Sequence, residues 1–433
     1  MKRVMYFTFI VACLGIISGC SDFTGLTGSL KDLSTNWDAP KGSVSIAEAK
    51  QTGLPVIYIN TENKQPITSK ETYLNGTVEI YDSVDSDNNL PKTDTQIRGR
   101  GNASWLEYGK KPYRLKFIEK QKLFGRTKAK SWVLLANAAD KTLLRNTIAF
   151  EMGRRFDLPF TNHYIPVELV LNGEHRGSYL LTEQVQTGKG RVDIVDDYDG
   201  VEDIADEYLV ELDNYYDEEP KFRTATIPFP VMIKTPETEA IKLGFGDNFV
   251  KESLNEFVDT LFADSFPNNG YRDLIDTDTF VKYIMVQEYL QNGDFWLLNS
   301  VYLYKNEPGE AHDKISAGPI WDMSNTIGNP NERRPSGGKK GLGSILFERF
   351  FDDPAFSARY KELWDTYNSA NGKMTTMPTF IDEQADKLAK SWQLDRKLWE
   401  GVDYGADYYK GTIIADLQSW WQQRIAFMNG VIK

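Results

Sequence analysis

From Leu54 onward, apolar and polar positions trade places in short runs bounded by turn residues. Leu54–Asn60 and Gly76–Tyr81 carry β-branched and aromatic residues between turn signals, which predicts two strands. Lys111–Phe117 alternates strictly, with Tyr113, Leu115 and Phe117 on one face and Arg114 and Lys116 on the other. Asp140–Phe156 sets Leu144, Ile148 and Phe156 at helical spacing behind a candidate N-cap, Asp140, and ahead of Pro159. Val167–Leu171 and Gly177–Glu183 flank Asn172-Gly173, the strongest hairpin signal in the chain. Tyr208–Leu212 and Val231–Lys234 read as further strands. Helical periodicity then takes over at Phe249–Phe262, Thr279–Leu290, Phe356–Tyr367, Met377–Trp392 and Ile413–Val431. The pattern predicts an α+β protein with a β-rich N-terminal lobe over about 54–185, a mostly helical C-terminal lobe over about 186–430, and a ligand between lobes.

The first residues carry an address. Lys2 and Arg3 precede the apolar run Val4–Ile17 and then Ser18-Gly19-Cys20, the layout of a secretory signal. Small residues before a cysteine resemble the bacterial lipobox, which implies a signal peptide over 1–19 and a lipid on Cys20. A plain signal peptide with an incidental Cys20 is the alternative. The polar stretch over 20–53 then reads as a flexible tether, and the expected location is the cell envelope, anchored to a bacterial membrane at the outer membrane or cell surface. With Cys13 removed and Cys20 acylated, no thiol is left for a disulfide, a cysteine nucleophile or a Cys-type zinc site. His163, His175 and His312 show no ligand spacing. A net charge of −12 disfavours a nucleic-acid partner but permits a local basic pocket.

One constellation points to chemistry. The helix near Thr279–Leu290 is stopped by Asn292-Gly293, Asp294 follows, Asn299 comes five residues later, and a strand pair leads to Gly318-Pro-Ile-Trp-Asp322. Asp294 and Asp322 stand 28 residues apart, room for a hairpin with a long turn. In protein kinases the same order serves phosphoryl transfer: an Asp takes the hydroxyl proton, and an Asn and a later Asp hold Mg²⁺ on the nucleotide. Asp after Gly and Asp at a strand end are also ordinary turn residues. Lys116, mid-strand ahead of the helix bearing Glu151, is placed to meet phosphates and pair with that carboxylate. A solvated strand face explains Lys116 equally well, and Arg154 and Arg155 at i+3 and i+4 offer Glu151 nearer partners. Arg98-Gly-Arg-Gly-Asn-Ala-Ser-Trp105 combines backbone N–H groups with the forks of Arg98 and Arg100, chemistry suited to a phosphate. Gly337–Gly343 reads as a mobile loop, and the Trp residues as core.

These blocks resemble the CotH kinase family, an atypical protein-kinase-like fold. The resemblance rests on residues 98–105, 110–116, 132–137 with 140–146, 167–184, and 318–322 with Gly328-Asn329, and covers roughly 54–430. It implies ATP-dependent phosphorylation of Ser or Thr in a protein substrate, with Mg²⁺ or Mn²⁺. Asp294 then corresponds to the catalytic Asp, Asp322 to the metal-binding Asp and Asn299 to a second metal ligand. Lys116, Arg98 and Arg100 become phosphate contacts, and Glu183 and Gln184 lie near the base. The family often has a second acidic residue two positions after the metal-binding Asp, where this chain has Ser324. A catalytically weak or inactive nucleotide-binding or adhesive module on the same fold is therefore the alternative function.

Overall fold

The alternating runs of the first half pair edge to edge until no edge remains. In the computed structural model, which describes residues 40–194, 207–236, 247–306, 314–333 and 341–432, seven strands close into a barrel. They are β1 (Val56–Thr61), β2 (Leu74–Tyr81), β3 (Leu90–Gly99), β4 (Tyr113–Gln121), β5 (Ala129–Leu135), β6 (Ile165–Leu171) and β7 (Glu174–Glu183), in the order β1-β2-β3-β4-β5-β7-β6. Neighbours are antiparallel except β1 and β6, which run parallel and shut the barrel. Ile57, Ile59, Val78, Ile97, Leu115, Phe117, Trp132 and Leu134 fill the interior. Closure leaves no strand edge to aggregate.

The outward residues of β5 and β7, Val133 and Leu180, belong to a second and larger core. That core lies around a five-stranded sheet of β8 (Tyr208–Leu212), β9 (Lys221–Arg223), β10 (Pro230–Thr235), β11 (Val301–Lys305) and β12 (Ile315–Ala317), in the order β12-β11-β8-β10-β9. Helices Asp247–Phe262, Thr277–Tyr289, Pro354–Asn368, Met377–Trp399 and Ala415–Val431 complete it, within two or three residues of the predicted spans except that the fourth runs on to Trp399. The second half is thus helical around a sheet that the sequence pattern undercounts. Among the described residues no helix is long and apolar enough to cross a membrane.

Two boundaries differ from expectation. The helix predicted from Asp140 begins at Arg145 and ends at Arg155. Its N-cap is Leu144 and not Asp140, but the buried Asp140 Oδ2 still accepts from the Arg145 N–H at 2.8 Å and so serves the first helical residue. The tether predicted to run to residue 53 instead folds before that point. Helix Ile46–Lys50 is closed by a Ser45–Glu48 capping box, Glu48 meets Lys397 at 3.1 Å, and the Gly42 N–H donates to Leu398 O at 2.9 Å. Five helical residues are too few for a periodic signal, and only the box announces them. Cys20, the signal segment, His312 and residues 334–340 of the glycine-rich loop lie outside the described residues.

The barrel is fastened to the second half by a buried polar joint. Lys110 Nζ donates to Asp395 and to Ser178 O, both at 2.5 Å, and Asp395 also accepts from the Ser178 N–H at 3.0 Å and from Arg396 at 2.6 Å. Gly177 sits beside it with φ +93, and a Cβ there would lie 2.4 Å from the Asp395 carboxylate. Several residues that carry the family resemblance therefore serve this joint, away from the chemistry.

Candidate active site

Asp294 is placed by a cap. Asn292 Oδ1 accepts from the Asp294 N–H at 3.1 Å and starts the short helix Gly293–Leu297, while the Asn292 amide donates to Gln287 Oε1 at 2.9 Å. Gly293 leaves room for the next loop: a Cβ there would stand 2.9 Å from the Asn325 amide. The helix ends at Leu298 in left-handed conformation, the Asn299 N–H returns to Asp294 O at 2.9 Å, and β11 follows.

Asp322 arrives from the opposite side, after β12, with φ +50, a backbone conformation that non-glycine residues adopt sparingly and often at functional sites. The start of helix Arg145–Arg155 pins its loop. Asn146 Oδ1 accepts from the Met323 N–H at 3.1 Å, and Arg145 Nη1 donates to Ser324 O at 2.7 Å. Ser324 Oγ donates to Asp322 Oδ1 at 2.9 Å, and the Asn325 amide donates to Asp294 Oδ1 at 3.3 Å, which ties the two loops together. Burial, reinforced by the nearby Asp322 charge, pushes the Asp294 carboxyl up to about 6, against the opposing hydrogen bonds from Asn325 and Asn299.

Both carboxylates and Asn299 line one cleft of about 1140 Å³ between the barrel and the second sheet. The facing wall is cationic. Arg98 on β3 stands directly opposite Arg114 on β4, and Gln96 opposite Lys116, so the outward face of this strand pair carries three cations into the cleft beside Arg100. Like charges directly opposite on neighbouring strands destabilise a sheet by roughly 0.2–1 kcal/mol. The Nε atoms of Arg98 and Arg114 are buried without a hydrogen-bond partner, and among the described residues no carboxylate pairs with Arg98, Arg100, Arg114 or Lys116. Burial, with added pressure from Arg98 and Arg100 and against the more distant charge of Glu218, holds the Arg114 guanidinium below its ordinary value. Arg100 lies over the Trp321 ring at 5.3 Å, next to Asp322. Unanswered guanidinium forks opposite two carboxylates are complementary to an anion that carries a cation.

The structure brings Asp294, Asn299, Asp322, Lys116, Arg98, Arg100 and Gln184 to this cleft. It does not bring Glu151. That carboxylate pairs with Arg155 at 2.8 Å and accepts from Tyr164 OH at 3.0 Å, so the intrahelical partner prevails over Lys116. Glu183 is also taken: its two oxygens meet the His163 N–H and Nδ1, both at 2.7 Å, and these contacts hold its carboxyl below its ordinary value against the effect of burial. It lines a separate cavity of about 230 Å³ on the far side of 184–186, whereas Gln184 lines both. Arg114, Arg145, Asn146 and Asn325 also line the cleft, without having been singled out. Arg114 had a signal in its shared face with Lys116, and Arg145 and Asn146 in the 140–146 block of the resemblance.

Among the described residues no three His, Cys, Asp or Glu side chains gather as a stand-alone metal centre. Mg²⁺ commonly takes one or two carboxylates and completes its shell with phosphate oxygens and water. Asp322, Asn299 and Asp294, hard oxygen donors opposite unpaired guanidinium groups, fit a cation that arrives with a nucleotide. No curated protein matches the chain. The family model described as CotH kinase protein matches residues 97–428, from β3 through the last helix, and therefore includes both loops and the cationic wall. By that match across most of its length, this chain belongs to the CotH kinase protein family.

Proposed function

We propose that this protein is a cell-envelope kinase that moves the γ-phosphoryl group of ATP to a Ser or Thr hydroxyl of another protein, with Mg²⁺ or Mn²⁺. The observation that carries the reading is the pair Asp294 and Asp322 in one cleft, facing cations that have no carboxylate of their own. Arg98, Arg114 and Lys116 hold the phosphates, with Arg100 seated over Trp321 at the same wall. Asp322 and Asn299 are the residues that would hold the cation, which supplies charge neutralisation of the phosphates when bound. Asp294 accepts the proton of the attacking hydroxyl as the new O–P bond forms and the bond to the β-phosphate oxygen breaks, releasing ADP. Attachment to a bacterial membrane through lipid on Cys20 belongs to the same proposal, and loss of fatty-acid labelling in C20S tests it.

Ser324 favours a second reading, nucleotide binding without turnover, because a neutral hydroxyl bonded to Asp322 stands where the family often has a carboxylate. One experiment separates the two. The full chain is incubated with labelled ATP, Mg²⁺ or Mn²⁺ and generic protein acceptors, beside D294N and D322N. Transfer that disappears in both variants supports the kinase. Metal-dependent ATP binding without transfer supports the binding module, and absence of ATP binding refutes both.

A further inference from the structure

The segment that carries Asn299 is gripped from the neighbouring strand. Leu298 and Ser300, on either side of Asn299, both have left-handed backbone, with φ +70 and +52. Non-glycine residues hold that conformation only where their surroundings impose it. The imposing groups stand just beyond the end of β8. Asp213 Oδ2 accepts from the Ser300 N–H at 2.8 Å, while its Oδ1 accepts from the Tyr215 N–H at 2.7 Å. The Asn214 N–H donates to Leu298 O at 3.0 Å, and the Asn214 amide donates to Leu297 O. Asp213 is only 5% exposed, and burial beside Glu211 pushes its carboxyl up to about 7. So unfavourable a place for an acid calls for a reason, and the grip on Ser300 supplies one. Asn299 also favours the ionised form of Asp294, and its amide oxygen is a hard donor suited to a cation.

We propose that Asp213, assisted by Asn214, is a positioning residue that holds Asn299 in the geometry needed to bind the divalent cation. The inference rests on the reading of Asn299 as a metal ligand. Asp213 lines the cleft, but its two oxygens are engaged by the Tyr215 and Ser300 N–H groups, so it acts through the Ser300 backbone, as outer partners of metal ligands do.

Calorimetric titration of the full chain with ATP, in Mg²⁺ and in EDTA, tests it. Wild type is compared with D213A, D213N and L209A, the last of which opens the core under the same strand without touching the loop. D213A is expected to lose roughly tenfold or more of the Mg²⁺-dependent gain in ATP affinity, the usual effect of removing such a partner. Its affinity in EDTA stays that of wild type. D213N, which keeps one acceptor oxygen, falls between the two, and L209A keeps the full gain despite lower stability. A full gain in D213A, or an equal loss in L209A, overturns the inference while leaving the kinase reading in place. A wild-type protein with no Mg²⁺-dependent gain overturns that reading and the inference with it.

Discussion

Asp294→Asn should make the protein more stable, and only above the range in which Asp294 loses its proton. Raising this carboxyl from 3.8 to about 6 makes its ionisation about 3 kcal/mol harder in the folded chain than in the unfolded one. Part of the group meets the water of the cleft, and screening there brings the working figure to about 1.5 kcal/mol. The sign follows from proton counting. Between about pH 4 and 6 the folded wild type binds the proton that the unfolded chain has released, so its stability falls as pH rises through this window and stays lower above it. The asparagine has no proton to lose, yet its oxygen still accepts from Asn325. Urea unfolding followed by tryptophan fluorescence should therefore place D294N about 1.5 kcal/mol above wild type at pH 7.5, with most of the gain gone at pH 4. An equal or lower stability at pH 7.5, or a gain that does not depend on pH, would refute the account of Asp294 as a carboxylate under electrostatic pressure.

Replacing Arg114 by Met removes one of two facing guanidinium groups. Stability without ligand should hold or rise by about 0.2–1 kcal/mol, while calorimetry shows ATP affinity weakened by roughly tenfold or more, as expected for a charge-assisted contact worth about 1.5–3 kcal/mol. Lys110→Met leaves Asp395 buried with Arg396 as its remaining cation, and urea unfolding should show a loss of about 3 kcal/mol. ATP affinity of the folded fraction should be unchanged, because Lys110 lies away from the cleft. Ser324→Asp adds a carboxylate next to Asp322 and should lower the Mg²⁺ concentration needed for ATP binding, an effect that competition with EDTA-buffered metal would reveal. An unchanged Mg²⁺ requirement in S324D would remove Ser324 from the explanation of any weak activity.

The parts of the site that could be read from the chain are those fixed by neighbours in sequence. The first helix ends at Tyr289, before left-handed Gln291, and Asn292 caps the next, so Asp294 stands in the first turn of a new short helix and Asn299 follows within the same few residues. The Gly318–Asp322 run is likewise a local turn after a strand. Arg98 and Arg114 meet only because β3 and β4 pair in one register, which no local signal states. Strand β3 was hard to see for a related reason: Leu90–Gly99 turns Gln96 and Arg98 outward, includes Pro91 near its start, and buries few residues. Closure of the barrel depends on β1 pairing with β6, a contact between residues more than a hundred positions apart. Glu183 carries no local sign of its bond to His163, because a carboxylate at a strand end has the same appearance whether or not a histidine elsewhere engages it.

The two walls of the cleft share one physical problem. On one side Asp322 presses on Asp294, and on the other Arg98 and Arg100 press on Arg114. Neighbours relieve each wall in part, Glu218 easing Arg114 and Asn325 easing Asp294, but the net pressure on both groups remains. Direct pairing across the cleft would relieve them, but the carboxylates are tied to Asn325 and Ser324 and the guanidinium groups are fixed by strand register. What relieves both walls at once is a ligand that brings negative charge to the arginines and positive charge to the aspartates. A triphosphate with its divalent cation has that distribution, whereas a neutral sugar or a purely anionic ligand satisfies at most one side. The preorganised repulsion thus selects its ligand by charge pattern, and the same repulsion is what the D294N and R114M stability measurements read in the empty protein.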